Sequence, residues 1–547
     1  MSSSIASKVT GAVTRVIAAS KIALNVTNKR PLNETTRKHF TMLQYKRKGT
    51  SPWSRALPQM DIDSQVQQQY SESTNQGAIV IDMAHFEPLG SWSFDQIQDS
   101  RARNPFMLTW AAGNSRDSIP MITHGEGIYL FDYSGRRYID WTSQAVCSNL
   151  GHSLPAEVIK STAAQMSSVP YLYGGIGLQE VRVRMNQLMN EILPGDLTAA
   201  LFPSSGAEAN EAGIMLARRY SGRHKVLSFY RSYHGATASA LSSTGDFRRW
   251  YGREQNSGFI KAFNPFPLFW KYDGDSEQER AESALAMLEE TILNENPNDI
   301  ASICMESIVG AGGCLVYPKG YMQGVRAICD KYGILLHIDE VMVGFGRTGK
   351  MFGFQHYHGV QPDIVTAAKG ISGASVPLSM MACRRELMQA FEDVPLGYGS
   401  TYQAHGVALA AAYETVKYII KEDVIGNVQR LAPIFEEEMA HLAAVHDSIK
   451  QYRAIGLFGC MDVHIPQTGG NPKLQHEQAH SAFLEYKKAY TQNGLLGLHR
   501  YPHIHVAPPL IISEEQLRDG FDKHHRALYT LDDALGCDYD PVHAEGA

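Results

Sequence analysis

Apolar and polar positions follow two different periodicities along the chain, and the change between them indicates its architecture. From residue 198 onwards, short apolar runs of strand length alternate with stretches of helical periodicity. Strands are predicted at 199–202, 225–229, 300–308, 334–338, 363–367 and 378–382, and helices at 208–220 and 320–331. Short apolar strands separated by helices are typical of a mostly parallel sheet with helices on both faces. We therefore predict a large domain of the α/β class.

The pattern differs on either side of this region. Residues 127–132 and 137–140 flank a turn and predict a β-hairpin. After residue 399 the pattern predicts helices at 407–420, 427–446 and 514–535 around a short mixed segment, which indicates a smaller α+β domain. The predicted division is a basic arm (1–60), a linker (61–103), an N-terminal segment of the small domain (104–155), a large domain (156–398) and a C-terminal small domain (399–547).

Charge is distributed unevenly between the arm and the rest of the chain. The 547 residues carry a formal net charge of −6, yet residues 1–60 contain 11 Lys and Arg and a single acidic residue, Glu34. The remaining residues therefore carry −16. An acidic body of this kind repels phosphate backbones, which disfavours nucleic-acid binding. No segment approaches the roughly 18 apolar residues that a membrane-spanning helix needs.

The arm itself has the composition of a targeting segment. Its first thirty residues are rich in Ser and Ala, lack acidic residues and place basic residues among apolar ones, as in an amphipathic mitochondrial transit peptide. A disordered basic arm is the alternative interpretation. The seven cysteines are odd in number and contain no Cys-x-x-Cys pair, which favours free thiols in a reducing compartment.

Two candidate ligand-binding features follow predicted strands, where open α/β sheets bind their ligands. Ser205, Gly206 and Ala207 end one strand and begin a helix, whose N-terminus favours an anion. An ordinary helix cap would have the same sequence. Tyr233 follows the next strand and can stack on a planar ring, although most such tyrosines are core or rim residues.

The other two features are charged. Asp339 ends an apolar strand, where a carboxylate needs a partner such as a protonated ring nitrogen. Lys369 follows another strand, and in an apolar pocket its amine would lose proton affinity and become a nucleophile able to form a Schiff base. A solvated lysine would be the better interpretation of an isolated match. In this chain order, an anion cradle, a stacking ring, a carboxylate and a nucleophilic lysine predict a pyridoxal phosphate site.

Five stretches of the sequence resemble the class III, or omega, aminotransferases of fold type I. They are SSGAEANEAGIMLARRY, YRSYHG, MESIVGAGGCLVYPKGYMQGVRAICDKYGILLHIDEVMVGFGRTG, PDIVTAAKGISG and GSTYQAHGVALAAA. The similarity extends from about residue 104 to the C-terminal helix. It implies a pyridoxal phosphate-dependent enzyme that works as a homodimer with shared active sites.

The resemblance also implies a role for individual residues. Lys369 would bind the cofactor covalently and move the substrate proton, while Asp339 would hold the pyridinium proton. Val341 and Tyr233 would cover the two faces of the ring, and Glu306 would orient neighbouring groups. The residues that would bind phosphate are Ser205, Gly206 and Ala207, with Thr401 reaching the phosphate of the partner subunit.

Departures from the family pattern narrow the range of substrates that the sequence predicts. Ornithine- and GABA-type members pair a second glutamate with an arginine, and these positions hold Ala311 and His505 here. The usual glutamine after DEV is Met342. These changes favour transfer from an omega-amino acid or terminal amine, resembling beta-alanine or taurine, to pyruvate or a similar keto acid. Arg500 is the candidate that binds the keto-acid carboxylate, and Arg453 is the alternative.

Two other reactions are alternatives within the same family. A pyridoxal phosphate-dependent lyase or decarboxylase would form product without a keto-acid acceptor. A GABA:pyruvate or GABA:glyoxylate transaminase would keep the reaction and change the substrates. Pocket specificity often depends on one or two contacts. Candidates near the predicted entrance are Val146, Trp110 and Tyr171.

Two motif matches do not fit their usual structural context. Residues 344–349 match GxGxxG and nearly match a P-loop, but no helix is predicted after them and Met351 replaces the Ser or Thr that holds magnesium. Residues 476–480 match the zinc motif HExxH, but no third ligand is evident, so we predict a solvated helix face and no metal site. Packing or hydrogen bonding is predicted for His499, His503 and His505.

Overall fold

The computed structural model describes residues 90–104, 106–110, 119–252, 256–266, 272–463 and 476–537. The chain divides into a unit of residues 1–100 and a unit of residues 101–547, and only residues 90–100 of the first unit are described. The predicted basic arm, most of the predicted linker and the last ten residues lie outside the described residues. No helix in the described ranges is long and apolar enough to cross a membrane.

The described strands are numbered in chain order. They are β1 (Ile122–Glu126), β2 (Tyr129–Asp132), β3 (Arg137–Asp140), β4 (Leu197–Leu201), β5 (Lys225–Phe229), β6 (Phe259–Ala262), β7 (Ile300–Glu306), β8 (Ile308–Val309), β9 (Leu315–Val316), β10 (Leu335–Asp339), β11 (Ile364–Ala367), β12 (Met380–Arg384), β13 (Ile449–Ile455), β14 (Phe458–Val463), β15 (Leu495–Leu496), β16 (His499–Arg500) and β17 (His503–Val506). Most are four to seven residues long, as expected for strands of a globular protein.

The described α-helices are numbered in the same way. They are α1 (Phe94–Arg103), α2 (Ser143–Val146), α3 (Ala156–Ser168), α4 (Glu180–Ile192), α5 (Gly206–Ser221), α6 (Ala238–Ser243), α7 (Arg249–Gly252), α8 (Glu277–Asn294), α9 (Tyr321–Tyr332), α10 (Arg385–Gln389), α11 (Gly406–Lys421), α12 (Val424–Val445), α13 (His476–Gln492) and α14 (Glu514–Leu535). Short 3-10 helices span Pro297–Asp299, Gly353–His356 and Lys369–Ile371.

A seven-stranded sheet forms the centre of the fold, with the order β4-β12-β11-β10-β7-β5-β6. Its strands pair in parallel except β12, which is antiparallel to both neighbours. This confirms the predicted α/β class with a mostly parallel sheet. The carboxyl ends of β5, β7, β10 and β11 therefore meet along one edge, where the candidate residues lie.

Two predicted strands have different bounds in the structure. The strand predicted at 378–382 spans Met380–Arg384, because the Ser379 N–H donates to the carbonyl of Pro203, beyond the end of β4. The strand predicted at 300–308 is interrupted at Ser307 and continues as the short β8, which pairs with β9 outside the central sheet.

Two smaller sheets flank the central one. The predicted hairpin is confirmed by the antiparallel pairing of β2 with β3, and β3 then pairs in parallel with β15 from the C-terminal region. The second sheet has the order β13-β14-β17-β16. The hairpin segment and the C-terminal region therefore share one sheet, although the predicted domain boundaries stay predictions.

Local sequence signals fix the ends of the helix that begins at the site. Ser205 caps α5 by accepting a hydrogen bond from the N–H of Glu208, and Gly222 ends it with a φ of 69°. A left-handed residue at this position closes a helix, and glycine adopts it without steric cost. The helix start is therefore held in place directly after β4.

Candidate active site

Two neighbouring parallel strands place four chemically active side chains on one face of the sheet. In the register of β10 with β7, Asp339 lies opposite Glu306, and His337 lies opposite Cys304. Because side chains two positions apart on a strand share a face, all four point to the same side. All four are buried, with Asp339 3% exposed and Glu306 5% exposed.

Asp339 is a buried carboxylate whose two oxygens accept three hydrogen bonds. His234 Nδ1 and Asn210 Nδ2 each donate to Oδ2 at 2.8 Å, and the N–H of Val341 donates to Oδ1 at 2.9 Å. Burial acts to raise the pKa of Asp339, but these hydrogen bonds and the charge of His234 hold it below its ordinary value. The carboxylate is therefore anionic at neutral pH and can hold a protonated nitrogen.

Glu306 connects two loops beside Asp339. Its Oε1 accepts a hydrogen bond from the N–H of Tyr233 at 3.0 Å, and its Oε2 accepts one from the N–H of Gly310 at 2.8 Å. Burial raises the pKa of Glu306 to about 7. Glu306 thus fixes the backbones of Tyr233 and Gly310, and its orienting role towards a cofactor stays a prediction.

Lys369 lies directly after β11, at the start of a 3-10 helix, with a left-handed φ of 47°. Burial lowers the pKa of its amine below the ordinary value. Cys147, Asp339 and Glu306 act in the opposite direction, which places these acidic groups near the amine. A lysine of this kind is more readily deprotonated than a solvated one, as a nucleophile and proton carrier must be.

The start of α5 forms a cradle of small residues. A Cβ on Gly206 would lie 2.8 Å from both Cγ atoms of Val341, so a larger residue there would have to displace the Val341 side chain. A Cβ on Gly235 would lie 2.5 Å from the Cβ of Ala207. The first N–H groups of a helix lack intrahelical acceptors, and the helix dipole adds positive potential. Ser205, Gly206 and Ala207 are therefore placed to bind a phosphate.

The ring of Tyr233 is held between two other side chains. The guanidinium carbon of Arg248 lies 3.3 Å from its centroid, and the ring of Trp110 meets it edge-on at 6.0 Å. Arg248 also donates from Nε to Asp246 at 2.7 Å. One face of Tyr233 is covered by Arg248, so a planar ligand stacked on this tyrosine would use the opposite face.

Arg500 and Arg453, the two candidates for carboxylate binding, have different environments. Arg453 is buried and donates from Nη1 to Asp462 at 2.7 Å and from Nε to the carbonyl of Gly313. Arg500 is half-buried, and no carboxylate of the described residues forms an ion pair with it. Burial and the nearby Arg248 lower its pKa to about 10. Arg500 is therefore the better placed of the two to bind an external anion.

His505 lies beside the loop that contains Ala311. His505 Nε2 lies 3.1 Å from the carbonyl oxygen of Gly310, the residue before Ala311. Burial lowers the pKa of His505 to about 3, so its ring is neutral at physiological pH. The site has no cation at this position for a second carboxylate.

Thr401 lies apart from the other candidates. It is exposed, and its carbonyl accepts a hydrogen bond from the hydroxyl of Tyr171. Tyr171 also packs edge-on against Tyr402 at 5.6 Å. No described contact links Thr401 to Lys369 or Asp339, and its predicted role towards a partner subunit stays a prediction. Of the other entrance candidates, Trp110 is 47% exposed, whereas Val146 is buried in an apolar cluster.

The GxGxxG match has a structural role. Arg347, within it, is fully buried and donates to the carbonyls of Leu457 and Pro508 and to the side chains of Ser143 and Asn149. It thereby joins the loop after β10 to the N-terminal and C-terminal segments. The HExxH match opens α13, and its side chains lie outside the described residues.

The three alternating histidines pack or form hydrogen bonds, as predicted. His499 meets Tyr490 edge-on at 4.3 Å, and His503 Nδ1 donates to Asp462 Oδ1 at 2.7 Å. Ligand atoms of Cys460, Asp462 and His503 lie within 4.8 Å of one another. Both oxygens of Asp462 accept hydrogen bonds, one from His503 and the other from Arg453, so this carboxylate is already partnered.

Several residues of the site were not assigned by the sequence analysis. His234 and Asn210 bind Asp339, although both lie inside motifs that resemble the family, and Arg248 covers Tyr233. The adjacency of His234 to Tyr233 was an available signal. Arg248 offered none, because it lies fifteen positions further along the chain, beyond α6.

The residues together match the chemistry of one cofactor. A helix N-terminus that begins with closely packed small residues suits a phosphate, a buried anionic Asp339 suits a pyridinium nitrogen, and Lys369 suits an aldehyde. The fold and the site are those of a fold type I pyridoxal phosphate-dependent enzyme.

Comparison with known proteins identifies the family. The class III aminotransferase family model matches residues 111–528, and the chain therefore belongs to that family. A taurine–pyruvate aminotransferase of Rhodobacter capsulatus is 33% identical over 434 residues, 76% of this chain and 91% of the relative. A mitochondrial gamma-aminobutyrate transaminase of Solanum lycopersicum is 28% identical over 443 residues, 78% of this chain and 84% of the relative.

Solved structures agree with this assignment. The crystal structure of a taurine:2-oxoglutarate aminotransferase from Bifidobacterium kashiwanohense, in complex with PLP and glutamate, is 33% identical and superposes with a TM-score of 0.76. The match covers 81% of this chain and 99% of that structure. The chain is thus a pyridoxal phosphate-dependent aminotransferase.

Proposed function

We propose that this aminotransferase moves an amino group from an omega-amino acid or terminal amine, resembling beta-alanine or taurine, to pyruvate or a similar small keto acid. The observation that carries the proposal is the difference between Arg500 and His505. Arg500 is a half-buried cation without a carboxylate partner among the described residues, whereas His505 is neutral. One available cation suits an acid with one anionic group, either a carboxylate or a sulfonate.

The catalytic work falls to residues on the carboxyl ends of the strands. When bound, pyridoxal phosphate supplies an electron-withdrawing ring that stabilises negative charge at the substrate carbon. Asp339 would hold the proton on the ring nitrogen, and the start of α5 would bind the phosphate. Lys369, with its lowered pKa, accepts a proton from the substrate carbon and returns it. Arg500 orients the substrate anion so that the reacting carbon faces Lys369.

Replacing Arg500 tests the proposal. In Arg500→Ala we expect the KM for pyruvate to rise about tenfold to a hundredfold, because a charge-assisted contact is lost. Arg500→Lys should recover part of this loss, and the visible absorbance of the bound cofactor should not change. The matched control is Arg136→Ala, an exposed arginine on the β2–β3 turn. An unchanged pyruvate KM in Arg500→Ala would remove Arg500 from the substrate site.

Two alternatives are distinguished by their requirement for an acceptor and by their donor. A lyase or decarboxylase of the same family would release product from an amine without any keto acid. A GABA:pyruvate or GABA:glyoxylate transaminase would accept GABA at least as well as beta-alanine. This alternative is considered because the relative from Solanum lycopersicum (tomato) is named a gamma-aminobutyrate transaminase. Initial rates with each donor, with and without pyruvate or glyoxylate, separate the three reactions.

We further propose that the enzyme is a homodimer in which Thr401 reaches the phosphate in the partner's site. An exposed apolar surface near Tyr171 supports this, since Ile176 is 79% exposed, Leu178 76% and Tyr402 60%. Apolar patches of this kind commonly mark subunit interfaces. Sedimentation equilibrium should give twice the 60.6 kDa mass of the chain, and a monomer that retains full activity would contradict the proposal.

Residues 1–60 are proposed to target the chain to mitochondria. Their 11 basic residues and single acidic residue support this, and the tomato relative is named as mitochondrial. A fusion of residues 1–60 to a fluorescent reporter should enter mitochondria. A reporter that stays in the cytosol would contradict the proposal.

A further inference from the structure

A buried ring of side chains lies beneath Asp339, on the side away from the pocket. From Asp339, Asn210 Nδ2 donates to the carboxylate at 2.8 Å, and the Thr366 hydroxyl donates to Asn210 Oδ1 at 2.6 Å. His337 Nε2 lies 3.2 Å from the same hydroxyl, and it must donate, because the single hydroxyl proton is already committed to Asn210. One half of the ring is therefore fully hydrogen-bonded.

The other half of the ring contains two nitrogens that lack an ordinary partner. His234 Nδ1 donates to Asp339 at 2.8 Å, but His234 Nε2 makes no hydrogen bond to nitrogen or oxygen among the described residues. The same is true of His337 Nδ1. Both rings are fully buried, and buried polar atoms without a partner are rare and costly.

Cys304 is the buried side chain that interacts with both of these imidazole rings. It lies opposite His337 in the register of β7 with β10. The side chain is fully buried. The middle of β10 is covered closely by α5, since a Cβ on Gly213 would lie 2.6 Å from His337 Cε1. A sulfur can both accept and donate a weak hydrogen bond, so one atom can satisfy both rings.

We propose that the Cys304 sulfur is the shared hydrogen-bonding partner of His234 Nε2 and His337 Nδ1. Cys304 is thereby a positioning residue, which keeps His234 charged against Asp339 and so adjusts the charge beneath the cofactor's ring nitrogen. It touches neither substrate nor cofactor. This inference concerns the cofactor site and does not depend on which amine or keto acid the enzyme uses.

With His234 protonated beside the anionic Asp339, hydrogen-bond accounting leaves two states of the ring. In one, a Cys304 thiol donates to a neutral His337. In the other, a thiolate accepts from a charged His337. In both, His234 is a cation that donates from both nitrogens. Cys304, His234, His337 and Asp339 then carry no net charge together in either state.

The directions of the pKa values agree with this arrangement. Burial acts to lower the pKa of His234, but Cys304 and Asp339 raise it well above its ordinary value. Burial acts to raise the pKa of Cys304, but the two imidazoles lower it to about 6. Two other titratable groups interact electrostatically with His234 and Cys304. Glu306 interacts with His234, and Lys261, whose Nζ donates to Ser228 Oγ at 2.9 Å, interacts with Cys304.

Removing the sulfur should leave Asp339 as the single charge of the ring. In Cys304→Ala neither imidazole nitrogen has a partner, so both rings become neutral and the group gains a net charge of −1. A nearby negative charge raises the pKa of a cation. We therefore expect the pH midpoint of the bound cofactor's visible absorbance to rise by about half a unit or more.

A conservative variant separates hydrogen bonding from mere packing. In Cys304→Ser the hydroxyl can accept a hydrogen bond from His234 Nε2 and donate one to His337 Nδ1. The pH midpoint of the cofactor's absorbance should therefore equal that of the parent enzyme. Cys383→Ala, which removes another buried thiol of the same central sheet, should titrate like the parent. If Cys304→Ala does not fold, Cys304→Val fills the volume with a strand-favouring apolar residue and should show the same rise.

The experiment is an absorbance titration of each holoenzyme across the pH range in which the protein stays folded. A rise in Cys304→Ala or Cys304→Val, with a return in Cys304→Ser, supports the proposal. It is overturned if the apolar variants titrate like the parent. It is equally overturned if Cys304→Ser shifts as far as the apolar variants, because hydrogen bonding would then not be the cause.

Discussion

The active site has two sides of opposite character. The side that would face the cofactor's ring nitrogen, called the nitrogen side below, consists of Asp339, His234, Asn210 and Glu306. Its polar groups are buried, and both carboxylates accept hydrogen bonds from neighbouring donors. On the entrance side, Arg500 and its surroundings are half-buried, and the charge of Arg500 is not balanced by an ion pair among the described residues.

This difference separates two properties of the enzyme. The nitrogen side is fixed by hydrogen bonds that Asp339 and Glu306 accept from α5 and from the loops after β5, β8 and β10, so it determines the chemistry that any substrate will undergo. The entrance side has a cation without an ion pair among the described residues and an exposed aromatic surface, so it determines which substrate is held. Mutations on the first side should therefore reduce every reaction, and those on the second should change reactions selectively.

The largest loss is expected at Lys369, which both sides require. In Lys369→Ala the transamination rate should fall about ten-thousand-fold or more, because the nucleophile and proton carrier is lost. Steady-state rates with beta-alanine and pyruvate measure the loss. Lys331→Ala, an exposed lysine paired with Glu289, should keep the parent rate. Appreciable residual turnover in Lys369→Ala would break the assignment.

The next largest effect is expected on the nitrogen side. Asp339→Asn should lower kcat about a hundredfold to a thousandfold for every donor, because a neutral amide no longer holds the ring nitrogen's proton. Cofactor affinity should weaken as well, which equilibrium dialysis of the apoenzyme measures. Asp196→Asn, at an exposed ion pair with Arg384, is the matched control. Donor-selective loss in Asp339→Asn would contradict the division between the two sides.

A smaller, selective effect is expected at the entrance. Trp110 meets Tyr233 edge-on and is 47% exposed, so Trp110→Ala should change the ratio of kcat/KM between two donors by about threefold to tenfold. The cofactor's absorbance should stay that of the parent. An equal loss for all donors would place Trp110 with the nitrogen side instead.

The smallest effect concerns stability and leaves the chemistry untouched. Burial lowers the pKa of His524, which accepts from Trp141 Nε1 and contacts the Tyr486 hydroxyl, to about 3. Below about pH 6.5 the unfolded chain binds a proton here that the folded chain does not, so stability falls as pH falls towards 3. The slope is at most about 1.4 kcal/mol per pH unit for this group.

Urea unfolding between pH 7 and pH 5 measures this slope. His524→Gln removes the titrating group and should flatten the pH dependence relative to the parent, even if it lowers stability overall. His358→Gln, in the turn before β11, is the control. Identical slopes in the parent and His524→Gln would contradict the assignment of a neutral buried ring.

The sequence predicted those parts of the site that follow strands. Lys369, Asp339 and Tyr233 each lie just past an apolar run, so the topology of a parallel sheet brings them to one edge. The ring beneath Asp339 could not be predicted in this way. Cys304 and His337 become neighbours only through the register of β7 with β10, which apolar runs alone do not determine.

The substrate side is the least predictable from sequence. The sequence offered both Arg500 and Arg453 as candidates for binding the substrate anion. The ion pair of Arg453 with Asp462 is what distinguishes them. That pairing crosses the turn between β13 and β14 and depends on side-chain geometry. Likewise, the neutrality of His505 follows from its burial, which a residue name does not reveal.

The central claim is that this site transfers amino groups from omega-amines. It is tested most directly by the first half-reaction, in which an amine donates its amino group to the cofactor in the absence of a keto acid. Purified holoenzyme is titrated with beta-alanine, taurine, L-alanine, GABA and L-glutamate separately, without acceptor, while the cofactor's visible absorbance is recorded. We predict that beta-alanine or taurine bleaches the band and that pyruvate then restores it. A band that no amine bleaches, or product formed from an amine with no keto acid present, would contradict the account.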